Sequence, residues 1–168
     1  EAAAIKPDEI EQLITDLLPN FHFTITGSSI PFDIKRIIPS EQGISSVNVL
    51  SSGESEVLTL ALDLLTISAI WELEQFGDRV VLLDEPDTHL HPELQQHLAQ
   101  FLVRLVDRFK LQMIIATHST TLLSALGFYG GQRTSVVYLN NAIELQKAIK
   151  FDETLGILST CLGGHILM

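Results

Sequence analysis

The chain has 168 residues, 46% of them apolar, enough for one domain that buries roughly 70% of the surface its unfolded form exposes. Its single cysteine, Cys161, excludes an internal disulfide and points to a structural thiol in a reducing compartment, so the expected location is cytoplasmic. A formal net charge of −11 argues against a general electrostatic grip on nucleic acid by this segment, and its apolar runs are far shorter than the ~20 residues that cross a bilayer, so no membrane partner is expected.

Residues 1–18 carry Ile10, Leu13, Ile14, Leu17 and Leu18 at helical spacing, with Pro7 near the start and Pro19 to end the helix. Phe21 to Ile25 and Pro31 to Ile38 alternate around the turn residues Gly27-Ser28-Ser29, which predicts an antiparallel pair. Val47 to Leu50 leads into a serine and glycine turn. From Glu54 to about Gln75 the residues Val57, Leu58, Ala61, Leu62, Leu65, Ala69 and Leu73 form a broad helical stripe, and Gly77 reads as its stop signal. Val80 to Leu83 is apolar at every position, which predicts a parallel strand covered on both faces.

Pro92 suits a first helical position, and Leu94, Leu98, Phe101, Leu102, Leu105 and Phe109 continue one face of that helix. Leu111 to Ala116 is a second apolar strand, Thr117-His118-Ser119 its end, and Thr120 to Leu126 a short helix before Gly127. Ser135 to Leu139 and Ile143 to Lys147 read as a hairpin around Asn140-Asn141. The predicted fold is α/β, a layered and largely parallel sheet flanked by helices. We divide the chain into an amino-terminal helix with antiparallel strands (1–50), a central lobe (51–150) and the start of a connection to a further domain (151–168). A start at Glu1 without methionine and an end at Leu167-Met168 suit a piece of a longer protein.

Ligands on such sheets sit beyond the carboxyl ends of the strands, where Asp84, Glu85 and His118 fall. Neighbouring strand residues point to opposite sides, so Asp84 can hold a magnesium ion while Glu85 faces an attacking water. His118 can donate a hydrogen bond to a phosphate oxygen. Taken singly, each has a plainer reading: a solvated acid pair, or a histidine that caps or packs. Ser51-Ser52-Gly53-Glu54 fits a capping box, which accounts for Ser51 and Glu54. It leaves Gly53 unexplained at up to ~1 kcal/mol relative to alanine, and a glycine there lets an anion approach the free amides of the helix start.

Together these motifs resemble the heads of ABC-type ATPases, the P-loop NTPases of the RecF-like, SMC-like and OLD-like branch rather than transporters. Leu50 to Glu54 is similar to the signature motif, Val80 to Glu85 to Walker B with its catalytic glutamate, Pro86 to His91 to the D-loop, and His118 to the switch histidine. The resemblance covers roughly Val47 to Leu139. It implies ATP and Mg2+ as cofactors, Asp84 as metal ligand, and Glu85 and His118 as catalytic groups acting in cis. Ser51, Ser52, Gly53, Glu54 and His91 are then cofactor-binding, the turn contacting the γ-phosphate in trans, so that nucleotide joins a homodimer or a head-to-head pair.

It further implies service in DNA repair or, in the OLD-like branch, in phage defence, with nucleic acid met by other parts of the full protein. The sequence departs from the pattern in having no G-x-x-x-x-G-K-[ST] loop, so this segment alone is expected to be inactive. The D-loop ends in His91-Pro92 where transporters usually place an aspartate. Gln42 matches no Q-loop context. His89, His91 and His97 lack the companions of a zinc tetrahedron, and D-loop packing explains them better. The competing reading is a non-hydrolysing module, derived from such a head, that dimerises or docks a partner.

Overall fold

The computed structural model describes residues 5–26, 32–37, 50–137 and 149–150. Pro7 opens helix α1 (Pro7–Leu17), where its missing N–H is no loss, and Asp8 and Glu9 suit the positive helix end. The face carrying Leu13, Ile14 and Leu17 is buried. Strand β1 (Phe21–Ile25) pairs antiparallel with β2 (Phe32–Arg36), Phe23 opposite Ile34, and Phe23 stacks on Phe32 with ring centroids 5.4 Å apart. The expected turn at Gly27-Ser28-Ser29, Gln42 and residues 47–49 lie outside the described residues.

Helix α2 (Ser52–Leu73) buries Val57, Leu58, Ala61, Leu64 and Leu65. Ile67, Ile70 and Leu73 on its outer side are exposed, so its apolar surface is wider than one stripe. It ends at Leu73, two residues short of the expected limit at about Gln75, with Glu74 as its C-cap and Gln75, not Gly77, in the left-handed conformation at φ 58°. The Phe76 N–H reaches back to the Trp71 carbonyl at 3.1 Å, a closure that terminates the helix before Gly77 is reached.

Strand β3 (Val80–Asp84), helix α3 (Pro92–Phe109) and strand β4 (Gln112–Ala116) form a βαβ unit, with β3 parallel to β4 and Leu82 opposite Ile114. Helix α3 buries Leu98, Phe101, Leu102, Leu105 and Phe109. Helix α4 (Thr120–Gly130) packs on α3 and runs through Gly127, which is buried inside the helix and not its end. The chain folds back at Gly130, where an added Cβ would collide with Thr134 Oγ1, itself bonded to the Leu126 carbonyl at 3.0 Å.

A short 3-10 turn, Gly131–Arg133, leads to β5 (Ser135–Val136), which pairs antiparallel with β6 (Ile149–Lys150). Ser135 pairs with Lys150, beyond the strand expected at 143–147. The expected tip at Asn140-Asn141, Cys161 and the connection at 151–168 lie outside the described residues.

The fold is α/β as expected, but among the described residues its parallel sheet is a single strand pair. Val81, Leu83, Met113 and Ile115 contribute to the main core. The other face is open: Leu82 is 72% exposed and its cross-strand neighbour Ile114 55%, which corrects the expectation of cover on both faces. The apolar run is genuine; among the described residues α1, α2 and α3 pack on the opposite face. No helix among the described residues is long and apolar enough to cross a membrane.

Candidate functional site

The turn before α2 forms as its residues dictate. Ser51 Oγ accepts the Glu54 N–H at 3.3 Å, and Glu54 Oε2 accepts the Ser51 N–H at 2.7 Å. The same carboxylate oxygen meets Arg36 Nη2 at 3.3 Å, tying β2 to the helix start, and the Arg36 guanidinium lies 4.6 Å over the Phe21 ring. Glu54 is therefore committed to the scaffold, and Arg36 is a supporting residue that its sequence position in a strand did not reveal.

Ser51 and Ser52 are exposed, whereas Gly53 is buried. An added Cβ at Gly53 would stand 3.2 Å from the His89 carbonyl oxygen and 3.3 Å from Leu90 Cδ2. Close approach of the 86–91 loop thus favours glycine here, a structural reason beside the anion reading. An open cleft of about 320 Å³ brings Ser51, Ser52, Gly53 and Glu54 together with His89 and His91. His91 also caps α3, its Nδ1 accepting the Glu93 N–H at 3.4 Å.

Asp84 ends β3 opposite Ala116, exposed, two residues beyond Leu82 and thus on the open face of the sheet. Glu85 does not continue the strand. It adopts φ 45°, with its N–H on the Ala116 carbonyl at 2.8 Å and its own carbonyl held by the Thr88 N–H and hydroxyl at 3.1 and 2.9 Å. Strand alternation therefore does not separate the two carboxylates, as the sequence reading supposed; a left-handed residue locked from both sides does. Its carboxylate Oε1 lies 3.5 Å from His118 Nε2, and the imidazole is 94% exposed. Asp84, Glu85 and His118 share the carboxyl end of the parallel pair, but none of them lines the cleft of Ser51 to Glu54.

The loops carrying these groups are tied together by residues the sequence reading passed over. Thr117 Oγ1 donates to Asp87 Oδ1 at 2.6 Å and accepts the Ser119 N–H at 2.9 Å. Ser119 Oγ donates to Gln95 Oε1 at 2.6 Å while capping α4, and Gln95 Nε2 donates to the Leu90 carbonyl at 2.9 Å. A hydroxyl on each side of His118 was the available signal. Its partners, Asp87 and Gln95, are distant in sequence and become neighbours only through the βαβ crossover.

Among the described residues no three His, Cys, Asp or Glu side chains converge as a metal cage. Asp84 offers oxygen donors only, exposed to solvent, which suits Mg2+ held by one carboxylate, phosphate oxygens and water, and does not suit zinc.

A family model described as "AAA domain, putative AbiEii toxin, Type IV TA system" matches residues 6–124. The chain is 34% identical over 117 residues, 66% of its length, to a protein named "Retron Ec83 probable ATPase" from Escherichia coli. It is 35% identical over 95 residues, 54% of its length, to "Retron Vc95 probable ATPase" from Vibrio cholerae serotype O1 biovar El Tor. It spans only 20% and 18% of the length of these curated relatives. A solved structure from work on ATP-driven dimerization and DNA-stimulated activation of SMC ATPases superposes with a TM-score of 0.57 at 14% identity, covering 93% of this chain and 90% of that one. At that identity the likeness is one of fold.

Proposed function

The chain belongs to the AAA-domain family described as "putative AbiEii toxin, Type IV TA system", and from that premise we propose that it is one lobe of an ATP-hydrolysing head that works as a head pair. The observation that carries this reading is the exposed group of Asp84, Glu85 and His118 at the carboxyl end of a parallel strand pair, set apart from the Ser51 to Glu54 turn by the 86–91 loop. That the two groups do not line a common cleft supports a site completed by a second head.

Asp84 is the residue that would hold Mg2+, whose chemistry there is to neutralise charge on the phosphate oxygens. Glu85, fixed in its left-handed conformation, takes the proton of the attacking water, and His118 donates to the terminal phosphate. Ser52 and the first amides of α2 meet the triphosphate of the partner head. The lysine-bearing phosphate loop, which the sequence of this chain does not contain, is then expected on polypeptide covering the open face of Leu82 and Ile114, the face from which Asp84 projects. The family description and the names of the relatives support a toxin–antitoxin or retron setting rather than DNA repair.

The test is ATP hydrolysis by the complete gene product, wild type against Glu85→Gln. Loss of turnover by roughly 100-fold or more with nucleotide binding retained is expected of a general base. Equal turnover removes Glu85 from the chemistry, and a wild type that binds ATP without turnover supports the docking-module reading.

A further inference from the structure

We propose that Gln95 is a positioning residue that sets the register between the 86–91 loop and His118, so that contact made at the Ser51 to Glu54 turn is felt at the Glu85–His118 pair; this rests on the reading of the preceding subsection. Gln95 stands at the start of α3, one turn after Pro92, and its amide is used at both ends. Nε2 donates to the Leu90 carbonyl at 2.9 Å, and Oε1 accepts from Ser119 Oγ at 2.6 Å. A primary amide carries a neutral donor and a neutral acceptor on one planar group, which lets a single side chain make both bonds.

On the far side of His118, Thr117 Oγ1 donates to Asp87 Oδ1 at 2.6 Å. Both residues flanking the imidazole are therefore pinned to the 86–91 loop, one at Asp87 and the other through Gln95 at Leu90. The Leu90 N–H closes the circuit on the Asp87 carbonyl at 3.1 Å. The opposite side of that loop lies beside Gly53, where an added Cβ would stand 3.2 Å from the His89 carbonyl oxygen and 3.3 Å from Leu90 Cδ2, closer than an ordinary side-chain contact. The turn before α2 and the 86–91 loop are thus close neighbours, which is how a contact made at the turn reaches the loop. Because Leu90 is buried and Gln95 and Ser119 are half-buried, the link is partly shielded from water that competes for the bonds.

His118 itself is almost fully exposed and contacts Glu85 at 3.5 Å, so nothing in its own side-chain packing holds it there. Its placement is inherited from its two neighbours. A positioning defect of this kind alters the transition-state geometry more than nucleotide affinity.

The experiment is steady-state ATP hydrolysis by the complete gene product carrying Gln95→Leu, with Thr117→Val, which removes the tie to Asp87 together with the local bond from the Ser119 N–H, as the companion. Melting temperatures are recorded for each. The expected result for Gln95→Leu is a kcat lowered roughly 10- to 100-fold with KM within about twofold of wild type, and a smaller loss of the same pattern for Thr117→Val. Unchanged kcat in both variants overturns the proposal, as does a loss confined to KM. Should Gln95→Leu fail to fold, Thr117→Val decides by the same split between kcat and KM. Glu85→Gln run alongside separates the two levels. If it abolishes turnover while both tie variants behave as wild type, the relay alone is wrong; if it turns over normally, the parent reading falls and the relay with it.

Discussion

Arg108 joins three helices, and removing its charge tests whether that junction supports the lobe. Its Nη1 and Nη2 lie 2.7 and 3.4 Å from the two oxygens of Glu72 on α2, its Nε lies 2.7 Å from Glu9 on α1, and its guanidinium stacks 4.9 Å over Phe109. The Glu72 side chain is only 6% exposed and that of Arg108 25%. Arg108→Met keeps the apolar stem and removes the charge, leaving the Glu72 carboxylate buried without its counter-charge. For a fully buried pair that loss is about 3–5 kcal/mol; with water able to reach the arginine side we expect about 2–3 kcal/mol.

In a domain of this size the melting temperature falls by roughly 4–12 °C. The double variant Glu72→Leu with Arg108→Met removes both charges and is expected to return to within about 1 kcal/mol of wild type, because an apolar pair of similar volume is often no worse than the ion pair. The assay is thermal and urea unfolding of wild type, single and double variants at one pH and salt concentration. A single variant that melts with wild type, or a double variant as unstable as the single, refutes the argument. Variation of pH is not a substitute. The hydrogen bond from Glu72 raises the guanidinium above its ordinary value, burial opposes this, and Glu9 adds to it. A group raised in the folded state gives stability that is complete below its unfolded pKa and is lost only as pH climbs through the folded one, here above the range in which arginine titrates in practice.

Ser52→Arg fills the exposed turn with a long cation; folding is expected to change by no more than about 0.5 kcal/mol, while ATP-dependent association in sizing experiments is lost. Association at the wild-type level removes the contact in trans. Leu82→Glu probes the open sheet face: in the complete gene product it is expected to cost about 2 kcal/mol or more and to lower ATP binding, because a covered face buries the carboxylate. Unchanged melting and binding mean that the face meets only water.

Helices α1, α2 and α3 were legible because their signals are local. Pro7 and Pro92 occupy first positions, Ser51 and Glu54 answer one another across one turn, and Leu98, Leu102 and Leu105 repeat at helical spacing. The stops were not, since Gln75 takes the left-handed position expected of a glycine and Gly127 serves packing within α4. The candidate residues were legible as a set because apolar strands ending in Asp84-Glu85 and His118 are readable in one dimension.

The sequence by itself determined which chemistry the chain can carry: two carboxylates, an imidazole and a serine-glycine turn, each delivered to the end of an element by short-range preferences. Only the tertiary structure decided how these groups are oriented and joined. It turned Glu85 out of the strand through a left-handed conformation, set Gly53 under His89 and Leu90, and brought Gln95 between Leu90 and Ser119. The physical reason is that capping and periodicity act between residues a few positions apart, whereas the bonds that orient this site link α2, the 86–91 loop and the 117–119 loop, which meet only after the β3–α3–β4 crossover has formed.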